Sequence, residues 1–242
     1  MKPQRACASS AIYSPTILRI YDWWVLRISN RYAWKCRTDK VLLPFFRRHM
    51  GRNHLDVGVG TGYYLANAEL PPKVRLTLMD VNPDCLEAAE RRSDRSATSL
   101  VRHDVTTELP ASLREPFDSI SLFYLLHCLP GTMDEKAVVF ANLKPHLGKD
   151  GVLYGATILG DAAAHNGFGR RLMRIYNRRG IFGNRLDTAE DLERVLGDHF
   201  ARVQVRVHGR VAMFEARQPI GLATPPAGAI SGQRPRAAWR SP

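Results

Sequence analysis

Apolar residues recur with two periods along this chain, and the change between them divides it. Ile17, Ile20, Tyr21, Trp24 and Ile28 stand three to four residues apart, which predicts an amphipathic helix. Thr38-Asp39 is an expected N-cap for a second helix ending near Met50. From residue 54 the pattern alternates between short apolar runs and helical segments. Strands are expected at 54–59, 75–81, 98–105, 117–126 and 152–158, with helices at 62–70, 83–92, 134–147, 168–179 and 188–196. Asn82 and Pro83 give the second of these helices a cap and a favoured first residue. Gly148-Lys-Asp-Gly151 reads as a turn, and strands at 203–207 and 211–216 form a hairpin around His208-Gly-Arg210. Five β-then-α alternations and a closing hairpin predict an α/β fold, doubly wound around a mostly parallel sheet.

The chain divides into four regions: an unstructured start at 1–11, an aromatic and basic helical lid at 12–50, a ligand-binding domain at 51–217, and a disordered basic tail at 218–242. The 242 residues are 45% apolar and 24% charged, ordinary for a globular protein. No apolar run is long enough to span a membrane, and MKPQRACASS lacks a secretory apolar core, so a cytoplasmic location is expected. Cys7, Cys36, Cys85 and Cys128 have no metal-type spacing, which predicts free thiols and no metal. The net charge of +12 sits in the flanks: residues 1–51 carry +8, whereas 52–150 carry −3. A uniformly basic nucleic-acid binder would not be built this way.

The chemistry centres on Asp56-Val-Gly-Val-Gly-Thr-Gly62, which leaves a strand and enters a helix. Gly58, Gly60 and Gly62 permit a tight turn and close approach of backbone amides to a ligand, with Thr61 among them. Asp80 ends the next strand, where an acid can take both ribose hydroxyls, and Val81 and Asn82 come directly after it. Asp104 closes the third strand, placed to meet an adenine amino group while the Val105 N–H meets a ring nitrogen. The alternative is that Asp80 and Asp104 only cap the helices after their strands. Tyr63 occupies the sixth position of the glycine pattern, where a dinucleotide site wants glycine. Asp56 would repel a pyrophosphate and could hold an amino group, so an adenosyl ligand bearing an amino acid fits better.

Leu55–Gly62, Leu78-Met-Asp80, His103-Asp-Val105, Phe117–His127 and Leu143–Val152 together resemble the motifs of class I S-adenosylmethionine-dependent methyltransferases. The resemblance spans about residues 50–216. It implies a seven-stranded sheet with its last strand antiparallel and S-adenosylmethionine over the carboxyl ends of strands one to four, Leu122 included in its site. Asn177-Arg-Arg-Gly-Ile-Phe-Gly-Asn184 and the aromatic entry segment also resemble small-molecule methyltransferases of bacterial secondary metabolism. The region after strand four lacks the Asp/Asn-Pro-Pro-aromatic loop of many nucleic-acid amino methyltransferases, which disfavours nucleic-acid acceptors; an RNA-directed enzyme and a non-catalytic cofactor-binding protein stand as alternatives.

His127 and His165 are the candidate general bases for a hydroxyl acceptor, with packing as the bland reading for His127. Tyr13, Tyr21 and Trp24 would give the lid an apolar wall for a flat substrate, or simply dock it, with Trp34, on the sheet. Arg174 and Arg178, in a run of arginines without an intervening acid, are candidates to attract an acidic or carrier-tethered small molecule. O-, N- and C-methylation and the oligomeric state stay open.

Overall fold

The computed structural model describes residues 23–70, 73–93, 98–110, 113 and 116–221. Tyr13, Tyr21 and residues 222–242 of the expected tail lie outside them, as does the side chain of Trp24. Seven strands form one sheet: β1 (Asn53–Val57), β2 (Arg75–Asp80), β3 (Thr98–Arg102), β4 (Phe117–Phe123), β5 (Leu147–Ile158), β6 (Phe200–His208) and β7 (Val211–Pro219). Their order is β3-β2-β1-β4-β5-β7-β6. Strands β1 to β5 run parallel, whereas β7 is antiparallel to both neighbours. The winding direction reverses between β1 and β4, and in such sheets the ligand crevice opens at the carboxyl ends of the strands flanking that reversal.

Period-two alternation sends neighbouring strand residues to opposite faces. Tyr154, Ala156 and Ile158 join one apolar cluster, with Trp34, Phe46, Tyr64 and Phe123. Leu153 joins the other, with Leu55, Ile120, Phe140, Leu192 and Phe214. Helices α1 (Trp23–Ala33), α2 (Leu43–His49) and α3 (Tyr63–Asn67) are followed by α4 (Pro83–Ser93), α5 (Met133–Leu143), α6 (Gly167–Arg178) and α7 (Ala189–Gly197). Phe46 on α2 stacks on Tyr64 and meets Phe123 and Tyr154 edge-on or tilted, which fixes α2 to the sheet. No helix among the described residues is long and apolar enough to cross a membrane.

The structure departs from the expected elements where tertiary contacts claim a residue. Thr38 does not cap: its hydroxyl accepts the Asn30 amide at 2.7 Å, and Thr38–Leu42 winds with the wide π pitch before α2. Helix α3 stops at Asn67 rather than residue 70, and its following Ala68 carbonyl accepts the Arg47 guanidinium. Strand β3 ends at Arg102, and β4 ends at Phe123. Gly148–Gly151 is no free turn; it is a bulge within β5, between the pairs Phe117–Leu147 and Ser119–Val152. Helix α5 closes in a 3₁₀ turn, Lys144–His146, and β7 runs past the expected tail boundary to Pro219.

Candidate active site

Strand β1 delivers the glycine turn to the switch point. Gly58, Gly60 and Gly62 have φ of +69°, +54° and +71°, a region that suits glycine. A Cβ on Gly58 would press on Leu125 and one on Gly62 on Ala89, so these two pack the turn down. On Gly60 a Cβ would meet only the Gly58 carbonyl at 4.0 Å, so this glycine keeps space open beside the turn. Thr61 is buried, and its carbonyl accepts Arg92 at 3.1 Å.

Asp80 is fastened to that turn from the end of β2. One oxygen accepts the Gly60 N–H at 3.2 Å and the other the Asn82 N–H at 2.9 Å. Burial raises its carboxyl above the usual range, and these amides oppose the rise. Asn82 caps α4 through its carbonyl oxygen, yet its amide nitrogen is buried with no partner. Val81 between them is 46% exposed. An orphaned donor, an anchored carboxylate and a bare apolar platform fit a ribose and a planar base. Asp104 lies two residues beyond β3 and caps its own turn, accepting the Thr106 N–H and hydroxyl at 2.9 and 2.7 Å through one oxygen. Val105 is buried, its carbonyl held by Asn142.

Asp56 sits just inside the turn, 5% exposed. Burial pushes its carboxyl up to about 7; the Ser121 hydroxyl, bonded to Oδ1, opposes this and Asp80 adds to it. Leu122, expected at the cofactor, is instead wholly buried in the core mid-strand. Past the end of β4, Tyr124 and Leu125 are partly buried, and Leu125 lies against the Gly58 turn. Tyr124 turns the chain there with φ +62°, and its hydroxyl donates to Asn30 Oδ1 at 2.9 Å.

The two candidate bases occupy different settings. His127 follows β4 in the turn Leu126–Cys128 and is 3% exposed. Its Nδ1 accepts the Ile158 N–H at 3.3 Å. Because β4 ends at Phe123, that amide of β5 has outrun its neighbour strand; His127 satisfies it, and Asn184 does the same for the Ile158 carbonyl at 2.8 Å. With Nδ1 accepting, the neutral ring carries its proton on Nε2. Burial, and then Lys136, pull the ring down to about 3, so it stays neutral. His127 is therefore held as a hydrogen-bond donor, with Tyr124 and Phe182 edge-on at 5.3 and 4.6 Å. His165 carries its proton on the same nitrogen but spends it on the main chain: Nε2 donates to the carbonyls of Leu159 and Gly160, and Nδ1 is buried without a partner. Its ring packs edge-on against Trp34, which is core rather than an open wall.

Arg174 and Arg178 lie exposed on α6, whose Leu172 and Met173 are buried. Arg170 on the same helix turns back to the His165 carbonyl at 2.6 Å. The loop between α6 and α7 closes the aromatic group: Gly183 N–H donates to the His127 carbonyl, and Lys136 on α5 donates to the Gly183 carbonyl and to Asp187. Sequence reasoning assigned no role to Tyr124 or Asn30, whose only signal is their position past a strand end or inside a helix, and knew Asn184 only as the end of a resembling segment.

A glycine turn at the switch point of a doubly wound sheet, with a buried carboxylate just inside it and a second acid at the end of β2, is the architecture of the Rossmann-like methyltransferase fold. The chain belongs to the class I S-adenosylmethionine-dependent methyltransferases of the small-molecule type. The family described as "Methyltransferase domain" matches residues 55–153. The physcion biosynthesis cluster O-methyltransferase of Aspergillus chevalieri is 45% identical over 209 residues, 86% of this chain and 94% of that one. The N-methyltransferase vrtF of Penicillium aethiopicum is 40% identical over 187 residues, 77% of this chain and 78% of the other. Among solved structures, the Bradyrhizobium japonicum WM9 N-methyltransferase NodS, in complex with S-adenosyl-L-homocysteine, superposes with a TM-score of 0.53. It is 21% identical and covers 74% of this chain and 84% of its own.

Proposed function

We propose that this enzyme methylates an oxygen or nitrogen of a small aromatic acceptor, natural-product-like in character, bound between the glycine turn and the aromatic group beyond β4 and β5. The observation that carries this is the grouping of rings at the end of the strands beside the cofactor cradle, where His127 lies 5.3 Å from Tyr124 and 4.6 Å from Phe182. S-adenosylmethionine supplies an activated sulfonium methyl group. The protein's task is then to align the acceptor and exclude water, a contribution of up to ~7–11 kcal/mol for well-oriented reactants.

In this reading Asp80 and the Asn82 amide take the ribose hydroxyls, and Val81 supports the adenine. Asp104 and the Val105 N–H meet its edge, and Asp56 accepts the ammonium of the amino-acid end. His127 donates from Nε2 to an oxygen of the acceptor, orienting it rather than removing its proton. Arg174 and Arg178 present positive charge on the outer side of α6, which supports acceptors carrying a carboxylate, free or on an acidic carrier.

The test is calorimetric titration with S-adenosylmethionine, S-adenosyl-L-homocysteine and NADH in parallel, followed by S-adenosyl-L-homocysteine release from a panel of phenols, aromatic carboxylates and amines. Micromolar binding of both adenosyl ligands, no NADH signal and turnover of aromatic acceptors are expected. Turnover confined to aliphatic acceptors would overturn the aromatic assignment.

A further inference from the structure

The face of β1 that carries Asp56 also carries His54, and the facing positions of β4 are Ser119 and Ser121. The register pairs His54 with Ser119 and Asp56 with Ser121. His54 and both serines are wholly buried, and apolar rings of Phe46 and Tyr154 lie against the imidazole. Four polar side chains in a core stripe are costly unless they satisfy one another. Here they form one chain of hydrogen bonds. Ser119 Oγ accepts the Gly51 N–H at 2.7 Å and contacts His54 Nδ1 at 2.7 Å. His54 Nε2 contacts Ser121 Oγ at 3.1 Å, and Ser121 Oγ contacts Asp56 Oδ1 at 2.5 Å.

The direction of this chain is set at its far end. A backbone N–H only donates, so Ser119 accepts there and has its own proton to give to His54 Nδ1. The ring proton then lies on Nε2 and goes to Ser121, whose hydroxyl proton goes to Asp56. Reversed, the chain would aim two donors at Ser119 and leave its proton without an acceptor among the described residues. Gly51 makes the anchor possible, since a Cβ there would overlap the Asp118 side chain.

We propose that Ser119, His54 and Ser121 form a one-way relay that holds Asp56 as an ionised acceptor for the cofactor's ammonium group, with His54 and Ser121 as its positioning residues. This rests on the role given to Asp56 above and adds what keeps that carboxylate in the binding state. Unaided burial favours the protonated acid, which accepts an ammonium poorly; burial pushes Asp56 up to about 7 even with the Ser121 bond opposing it. The other titratable groups facing it do not supply charge: Asp80 on β2 raises it further, His54 is pulled down to about 3, and the buried Tyr154 on β5 is held well above its ordinary value. Ser121 has an alternative acceptor, the Leu55 carbonyl at 3.5 Å, to which it can turn once His54 no longer donates to it.

The experiment measures S-adenosyl-L-homocysteine affinity by calorimetry from pH 5.5 to 8.5. Wild-type affinity is expected to fall about tenfold per unit below pH ~7, as binding must expel the proton from Asp56. In Ser121→Ala and His54→Phe the midpoint is expected to move up by about one unit, weakening Kd about fivefold at pH 7 and about tenfold at pH 5.5, and converging on wild type at pH 8.5. Asp56→Asn is expected to bind weakly with no such pH dependence. If Asp56→Asn binds like wild type, the role of Asp56 itself is wrong. If Asp56→Asn behaves as expected but Ser121→Ala and His54→Phe keep the wild-type midpoint, the relay is overturned and the role of Asp56 stands. Where the variants do not fold, ¹⁵N spectra of the wild-type histidines decide: His54 with a pyridine-like Nδ1 and a protonated Nε2 supports the relay, and the other tautomer refutes it.

Discussion

Removing the Lys136 ammonium tests how the loop between α6 and α7 is held beside His127. Lys136 and Asp187 are 2% and 1% exposed; the ammonium lies 2.6 Å from Asp187 Oδ2 and 3.0 Å from the Gly183 carbonyl, and Asp187 Oδ1 has no partner. In Lys136→Met both carboxylate oxygens are left buried and unpaired, a cost of about 3–5 kcal/mol. At ~2–4 °C per kcal/mol for a chain of this size, Tm falls by roughly 6–20 °C. Replacing both partners, Lys136→Met with Asp187→Leu, removes the stranded charge and is expected to recover most of that loss. The pH dependence has a definite sign. Burial raises Asp187, and Lys136 is what opposes the rise, so the variant's carboxyl moves higher still. A carboxyl raised in the folded state favours folding at acid pH and loses that advantage as pH climbs from its unfolded value through the folded one. The deficit of Lys136→Met therefore shrinks on acidification. Urea unfolding of the double-mutant cycle at pH 5 and 7.5 measures all three statements. A single-mutant cost below about 1 kcal/mol, or a double mutant no better than the single, refutes the argument.

Four further outcomes concern the site itself. His127 is neutral down to about pH 3 and donates from Nε2, so His127→Asn is expected to lower kcat/KM about 10–100-fold without moving any acid limb of the pH–rate profile; an acid limb between pH 5.5 and 7.5 that disappears in the variant would make His127 a base after all. Gly60→Ala, with φ +54° but open space at its Cβ, is expected to cost about 1 kcal/mol of stability while cutting cofactor affinity sharply. Gly62→Ala, whose Cβ would come 2.7 Å from Ala89 Cα, is expected to cost about 2–3 kcal/mol in unfolding experiments. Arg174→Glu with Arg178→Glu is expected to raise KM for carboxylate acceptors and leave that for neutral ones unchanged, and equal effects on both would remove these arginines from acceptor selection.

The sequence of this enzyme discloses the features that lie on local patterns. The β–α alternation, the glycine turn and Asp80 at the end of β2 each depend on residues a few positions apart, and the structure keeps all of them. Boundaries differ where a distant partner intervenes: Asn30 takes Thr38 away from capping, and the β5 bulge absorbs Gly148–Gly151. Leu122, expected at the cofactor, is buried in the core because the fourth-strand motif is apolar throughout, and only the strand's end at Phe123 tells which of its residues stay inside the sheet.

The relay shows the same limit from the other side. His54-x-Asp56 and Ser119-x-Ser121 are polar residues at alternate positions of strands that must be buried on both faces, an anomaly that is visible in the chain itself. Alternation says that each pair shares a face, but pairing them needs the register of two strands 65 residues apart. The tautomers obey the same logic. Nothing local distinguishes His54, His127 and His165; each is assigned by fixed backbone groups, the Gly51 amide, the Ile158 amide, and the Leu159 and Gly160 carbonyls respectively. A backbone donor cannot become an acceptor, nor a carbonyl a donor, so these fixed groups decide which imidazole nitrogen carries its proton. All three thereby carry the proton on Nε2 and differ in what lies opposite it, Ser121 for His54 and the Leu159 and Gly160 carbonyls for His165.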